Sequence, residues 1–499
     1  MLASRLVIFP ARGDYIDGRF VRPARPDGEI RRQSPADFRE LVGVFPHALE
    51  HVDAAVAAAR AAHTAWARLG VEARADALLR LKAAAALRGD ELARLIAIEV
   101  GKPAWESAGE VAALGSKIDV TLEEGAREIA PRRPAGVAGG VDWRPLGVVA
   151  ILGPFNFPAH LPHGQAVPAL LAGNTVVFKP SALAPAVGQL YAEIVDAAGF
   201  PPGVFNLVQG GADTGARLAA HEGVDGVLFT GSWAAGRAIL ESTLDQPHKL
   251  VALEMGGKNA AVVLRDAELR EAAHAIVTGA FATAGQRCTA TSRLIVERPV
   301  VDALLAEVLR LARGLRVGHP LEHDVFMGPL VCEEARERFL RMIARARDEG
   351  AQPVLSGGAF DAGRPGAYVS PSIHLVERPS GASAYQREEH FGPDLAVYVV
   401  DGLDEAITLA NDSAYGLVAS LFSRDDAAWQ EFRLRARAGV LHRNRGTVGA
   451  SGRLPFGGVG RSGNFRPGGV LMIASCAYPV AFLEGQSAPQ RRPPGMPEV

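Results

Sequence analysis

Cysteine is scarce in this chain: three residues in 499, at Cys288, Cys332 and Cys476. None form a CxxC pair, so neither a zinc ribbon nor a disulfide framework is indicated, and no metal site is expected. A reduced, cytoplasmic setting is the simplest reading. Net charge is scarce as well. The 53 Lys and Arg nearly balance the 55 Asp and Glu, leaving −2, which gives no reason to expect a nucleic-acid or membrane-surface partner. No apolar run reaches the ~20 residues that span a bilayer. The opening stretch, MLASRLVIFPARGDYIDG, has too short an apolar run for a signal peptide, and Pro10 interrupts it. There is no internal repeat. The single biased block is the end of the chain, APQRRPPGMPEV, whose proline and charge predict a disordered tail over 486–499.

What is present suits a large globular protein. Apolar residues make up 48%, and the length predicts two or more domains, because single cores stop growing at about 250–300 residues. Residues 49–128 carry apolar positions at helical spacing, as in LEHVDAAVAAARAAHTAWARL. The Pro- and Gly-rich APRRPAGVAGG at 130–140 breaks that pattern. From 146 onward short apolar runs (LGVVAIL, NTVVFK, GVFNLV, GVLFTG, KLVALE) alternate with helical segments. That alternation predicts an α/β fold with a mostly parallel sheet covered on both faces. Ligands in such sheets bind beyond the carboxyl ends of the strands. A second alternation follows 257, with a helix over 268–284, helices near 300–313 and 333–349, and strands at SRLIVE, SIHLV, LAVYVV, VASLFS and GVLHRN.

Several runs end in polar or glycine-rich clusters. Cys288 lies in TAGQRCTATSR, after a helix that Gly285 would stop. Arg287 beside it favours thiolate, whereas a buried structural thiol is the plain alternative. Glu254, in LEMGGKN, ends a strand before two glycines, where a general base would sit or a solvated loop glutamate would serve equally. Asn156, in GPFNFPAH, is held between two phenylalanines and two prolines. Such an amide suits an oxyanion site, or is a turn asparagine satisfied by its own backbone. Lys179, in VVFKPS, ends a strand where it can hold a ribose hydroxyl or a phosphate, or simply face solvent. FTGSWAAG, with Gly231, Ser232 and Gly236, reads as strand, turn and helix N-terminus, a place for a pyrophosphate. REEHFGPDLAV presents Glu389 and Phe391 before a Gly-Pro turn, and LPFGGVGRSGNFRPGG is a glycine-rich loop too long for a hairpin.

These seven motifs, in this order, resemble the aldehyde dehydrogenase superfamily over nearly the whole chain. The resemblance implies NAD(P)-dependent oxidation of an aldehyde to a carboxylic acid. Cys288 would attack the carbonyl, Asn156 and the Cys288 backbone N–H would hold the oxyanion, and Glu254 would activate the water that hydrolyses the thioester. Lys179 and Glu389 resemble the family's ribose contacts, and Ser232 a pyrophosphate contact, with Ser181, Gly231 and Gly236 completing the cofactor set. Phe391 would pack by the nicotinamide end. The implied fold is aldehyde dehydrogenase-like: a Rossmann-type dinucleotide-binding domain (1–128 and 147–256), an α/β catalytic domain (257–454) and a β oligomerisation element (129–146 and 468–485). Homodimers or dimers of dimers are expected from it. In this reading Cys332 and Cys476 are buried bystanders.

Within the superfamily, GPFNFPAHLPHGQAVPALLAGNTVVFKPS, ALEMGGKNAAVV and GRSGNFRP resemble the succinylglutamate-semialdehyde dehydrogenases of arginine catabolism. Such a substrate has two carboxylates besides its aldehyde. Arg287, Arg443, Arg445, Arg461, Arg466, His160 and His163 are candidate cationic partners. Three departures matter. Ala182 stands where the family commonly has a ribose-binding glutamate, so NADP joins NAD as an expected cofactor. RCTATSR resembles the broader semialdehyde dehydrogenases, which admits another acidic semialdehyde such as 2,5-dioxovalerate. LPHGQ replaces the usual LPNGH. A catalytically silent structural relative is the reading from another class; the joint presence of Cys288, Glu254 and Asn156 argues against it. Glu254 likewise argues against a coenzyme-A-acylating relative.

Overall fold

The computed structural model describes residues 9–485 and 494–496. Most of the expected tail therefore lies outside the described residues. Two seven-stranded sheets organise the chain. In the first, five parallel strands run in the order Leu250–Met255, Gly226–Gly231, Val148–Leu152, Thr175–Lys179 and Phe205–Leu207. The hairpin Asp14–Ile16/Arg19–Val21 adds to it in antiparallel fashion. Val148–Leu152 and Thr175–Lys179 are buried at every position, because helices cover both faces and leave no polar side for alternation. The second sheet runs Gln352–Leu355, Ser372–Leu375, Asp394–Val400, Thr291–Glu297, Asn259–Val263, Val418–Phe422 and Val440–Arg443. All its pairings are parallel except the first.

Four helices, Glu50–Arg68, Val71–Leu87, Gly89–Val100 and Ala104–Val120, precede the first sheet's parallel strands. Ahead of them the strands Gly28–Ser34 and Asp37–His47 pair with each other. Among the described residues no helix is long and apolar enough to cross a membrane. A two-stranded ribbon joins Gly139–Pro145 to Ala477–Leu483.

Two expectations need correction. The apolar run 469–484 is a strand only in its second half. Val470–Cys476 winds as 3₁₀ turns that bury Met472, Ile473 and Cys476. The helix expected over 268–284 is Leu269–Phe281. Thr283, Ala284 and Gly285 follow with φ of 55°, 52° and 68°, a left-handed run that no helix continues. The reason is tertiary: a Cβ at Gly285 would strike the Gly392 carbonyl, and the Thr283 N–H is bound by buried Glu106 at 2.8 Å. Neither partner is local in sequence.

The two sheets meet through a very short connection. Leu250–Met255 ends the first sheet and Asn259–Val263 begins the second, with only residues 256–258 between. The carboxyl edge of the first sheet therefore abuts the amino edge of the second.

Candidate active site

The chemistry-bearing segments converge on that junction. From the first sheet come the segments that follow or end strands: Asn156 after Val148–Leu152, Lys179, Ser232, and Glu254. From the second come segments that precede strands: Cys288 before Thr291–Glu297, and Glu389 and Phe391 before Asp394–Val400. Cys288 is joined to its neighbours through backbone. Asn259 Nδ2 donates to the Cys288 carbonyl at 2.7 Å and to the Ala290 carbonyl at 2.9 Å. A Cβ at Gly257 would lie 2.6 Å from the same Cys288 oxygen, and one at Gly256 would fall inside the Glu389 carboxylate. The two glycines of LEMGGKN thus leave room for the cysteine loop on one side and Glu389 on the other.

Asn156 is buried and donates one Nδ2 hydrogen to the Gln286 carbonyl at 2.9 Å. That bond fixes the amide two residues from the sulfur and leaves a second hydrogen to offer. Glu254 is buried too. Its Oε1 accepts from the Gly468 N–H at 3.1 Å, while Oε2 has no partner among the described residues. Burial pushes its carboxyl up to about 8, and the single Gly468 bond opposes this only in part. Glu389 accepts from Gly257 N at 2.9 Å. Burial pushes it to about 7, with the Gly257 bond and Lys258 pulling the other way.

The Cys288 thiol is pushed up to about 12, first by burial, then by the Glu389 and Glu254 carboxylates. Both acids are therefore near enough to oppose a thiolate. The expected help from Arg287 is present but outweighed. The Arg287 guanidinium pairs with Glu106 and donates to Thr283 Oγ1 at 2.8 Å. Glu106 lay in a plain helical stretch, with no local signal of this role.

The other candidate cations divide. His160 is desolvated and held below the usual imidazole range, hence neutral, with its Nδ1 unpartnered among the described residues. His163 is packed against the Tyr191 hydroxyl and the Leu114 carbonyl, and burial takes it down to about 3. Neither is a cation at neutral pH. Arg443 is committed to Asp426 at 2.5 Å. Arg461 lies over the Trp233 ring at 5.3 Å, and Arg466, among the described residues, bonds only the Phe465 carbonyl at 3.3 Å. Arg445 is exposed, and its one bond among the described residues is a long 3.4 Å contact to Gly449 O. It lies two residues from Thr447, whose hydroxyl donates to the Thr289 carbonyl at 2.6 Å. Arg445 is thus tethered close to the cysteine loop with its charge uncommitted. Of the other cysteines, Cys476 is buried, but Cys332 is only half-buried, contrary to expectation; its chain turns there into the exposed start of the helix Glu333–Asp348.

The carboxyl edge of the first sheet fits a dinucleotide. Lys179 is buried, its Nζ held by the carbonyls of Pro180 and Gly210 at 2.8 and 3.2 Å, and burial lowers it to about 8. Gly231 lies so close to the Phe229 ring that a Cβ would collide with it. Ser232 caps the helix Trp233–Ser242, its Oγ accepting from Ala235 N at 3.2 Å. The hydroxyl keeps its own hydrogen to donate, beside a helix N-terminus suited to a phosphate. Gly236 has a structural duty, because a Cβ there would meet Met255 Sδ. Ser181 is half-buried and accepts from Leu183 N at 3.2 Å. Phe391, with φ of 51°, meets Phe155 edge-on at 5.7 Å.

Comparison with known proteins identifies the family and the fold. The aldehyde dehydrogenase family model matches residues 21–478. The chain is 43% identical to an N-succinylglutamate 5-semialdehyde dehydrogenase of Sphingopyxis alaskensis, over 87% of this chain and 90% of that one. It is 41% identical to the enzyme of the same name from Chromobacterium violaceum, over 97% and 99%. Its fold superposes on an NAD-dependent aldehyde dehydrogenase from Sinorhizobium meliloti with a TM-score of 0.91, at 32% identity, covering 98% of this chain and 97% of that one. With the whole architecture shared and the match running almost end to end, the chain belongs to the aldehyde dehydrogenase family and is an NAD(P)-dependent aldehyde dehydrogenase.

Proposed function

We propose that the protein oxidises N-succinylglutamate 5-semialdehyde to N-succinylglutamate, with NAD as the hydride acceptor and Cys288, Glu254 and Asn156 as its catalytic residues. The observation that carries the chemistry is Glu254 Oε2, a buried carboxylate oxygen without a partner among the described residues, beside a thiol. In this reading the thiol loses its proton to solvent as the sulfur attacks the aldehyde carbon, so that Glu254 is left for the hydrolytic half. The oxyanion of the resulting thiohemiacetal takes the free Asn156 hydrogen and the Cys288 backbone N–H. The dinucleotide, when bound, supplies the acceptor for the departing hydride. What remains on Cys288 is a thioester. Glu254, ionised, takes a proton from water, whose oxygen attacks the thioester carbon; the acid leaves and the thiol is restored.

Lys179, Ser181, Ser232 and the turn at Gly231 would hold ribose and phosphate, Glu389 the other ribose, and Phe391 the nicotinamide end. Ala182, half-buried after Ser181, offers no carboxylate to a ribose hydroxyl and none to repel a 2′-phosphate. Restoring one in Ala182→Glu is expected to raise the ratio of kcat/KM with NAD to that with NADP by about tenfold or more, since opposed like charges cost several kcal/mol. Initial rates with both cofactors measure it, and an unchanged or lowered ratio refutes this account of the position.

The two relatives named for N-succinylglutamate semialdehyde support the substrate assignment. The uncommitted guanidinium of Arg445 supports a substrate bearing carboxylates remote from its aldehyde. Initial rates should favour N-succinylglutamate semialdehyde over succinate and glutarate semialdehydes and over 2,5-dioxovalerate. A better rate with any of these transfers the assignment to it. Arg445→Ala is expected to raise KM for the acidic substrate by roughly tenfold to a hundredfold, the worth of a hydrogen bond to a charged group. A neutral aliphatic aldehyde should be unaffected; an equal rise for both would show that Arg445 does not read charge.

Among the described residues the ribbon strand Ala477–Leu483 pairs on one side only, and Leu483 and Tyr478 are exposed on it. A free apolar edge of this kind supports addition to a second copy, as a homodimer or dimer of dimers. A cytoplasmic setting accords with the three free cysteines.

A further inference from the structure

The strand that carries Glu254, Leu250–Met255, is the open edge of the first sheet. On one side Leu250–Met255 pairs with Gly226–Gly231 in unbroken parallel register. No strand of the sheet covers the other side. The outward groups there are met by a side chain: Asn464 Oδ1 accepts from the Leu253 N–H at 3.0 Å, and Asn464 Nδ2 donates to the Val251 carbonyl at 2.8 Å. A carboxamide presents donor and acceptor side by side, as a peptide group does, so it stands in for a neighbouring strand. The facing backbone N–H and C=O also settle which way the amide points.

The same loop then reaches Glu254 itself. Gly463 forms an isolated antiparallel bridge with Glu254, and the Gly468 N–H bonds its Oε1. Between them Phe465 turns at φ of 63° and is 75% exposed, so its ring does not anchor the loop. Beside the Gly463 bridge, the fork of Asn464 ties this loop to residues 251 and 253, the backbone that leads directly into residue 254.

We propose that Asn464 is a positioning residue for Glu254, dedicated to the hydrolytic half of the reaction. The proposal rests on the reading of Glu254 as the deacylating base. Asn464 touches neither the sulfur nor the oxyanion amide, so the acylation half should not depend on it. A displacement of the carboxylate by about 1 Å costs up to about a hundredfold in a step that needs a defined geometry.

The test is stopped-flow NADH formation with saturating aldehyde and NAD, comparing wild type, Asn464→Ala, Asn464→Asp and Glu254→Gln. Asn464→Asp keeps the acceptor for Leu253 but has no donor for Val251. The burst amplitude counts intact sites, so a poorly folded fraction does not enter the rates. Both Asn464 variants should keep the first turnover within about twofold of wild type and lose about tenfold or more in steady-state rate. Hydroxylamine should restore turnover in all three variants, because its nitrogen attacks the thioester, leaves as the hydroxamate and frees the Cys288 thiol without help from a base. Equal slowing of first turnover and steady state, unrelieved by hydroxylamine, would reduce Asn464 to a structural staple and overturn the proposal. Wild-type behaviour of the Asn464 variants beside a deacylation-defective Glu254→Gln would overturn it alone. A Glu254→Gln protein with normal steady-state rate would remove the base, and the proposal with it.

Discussion

Cys288→Ala is expected to abolish NADH formation, lowering kcat/KM by about four orders of magnitude or more, as loss of a covalent nucleophile does. The loss should include the first turnover, since hydride can leave only after the carbonyl carbon has become tetrahedral on sulfur. No burst, no thioester and no hydroxamate should form. The protein should still melt within a few degrees of wild type, because trimming the half-buried CH2SH to CH3 removes little packing and only a weak bond from the Thr289 N–H. Stopped-flow absorbance and a thermal scan together decide it. A burst in the alanine protein would transfer the nucleophile elsewhere and end the mechanism proposed above.

The second large effect is at Glu254. A carboxyl pushed up to about 8 by burial is mostly protonated at neutral pH. The base is the ionised form, so steady-state turnover limited by hydrolysis should rise as pH rises through about 8 and level above it. Between one pH unit below and one above that value, the gain should be roughly tenfold, the ratio of ionised fractions. Glu254→Gln should cut the steady-state rate by about a hundredfold to ten-thousandfold and flatten this limb. The first turnover should survive, with NADH appearing as a burst. Above that pH, where Glu254 is ionised, it should even gain in one respect: with the Glu254 charge gone, the Cys288 thiol loses one of the two carboxylates that hold it up. A glutamine protein that keeps the wild-type pH profile would show that another group activates the water.

Much of this site was readable from residues alone, for a definite reason. Val148–Leu152 and Thr175–Lys179 are short apolar runs buried at every position, and the parallel strands of the first sheet stop where polar or glycine clusters begin. The change in texture marks the carboxyl edge of the sheet, so the places of Asn156, Lys179, Ser232 and Glu254 followed from strand ends. The helices of 49–128 were legible from their period. The short N-terminal strands were not: Asp14–Ile16 and Arg19–Val21 have three residues each, too few for any alternation to register.

The electrostatics misled where partners were remote. Arg287 sits beside Cys288 in the chain, yet its guanidinium is committed to Glu106, over a hundred and eighty positions away. Adjacency suggested a lowered thiol; desolvation and two converging acids raise it instead. His160 and His163 counted as cations only until their burial was known. Charge state depends on solvent exposure and neighbours, and neither is a property of the local string.

The sequence by itself determined the elements, the order of the motifs and the kind of chemistry each residue type can perform, because periodicity and side-chain chemistry are local. Only the tertiary structure decided that the carboxyl edge of one sheet meets the amino edge of another, with Gly256 and Gly257 as the contact. Among the described residues it also decided which charges have no ionic partner: Arg445 rather than Arg287, and one oxygen of Glu254 rather than both. Those outcomes turn on close approaches between segments far apart in the chain, where the space one residue leaves is filled by another that no neighbouring letter announces.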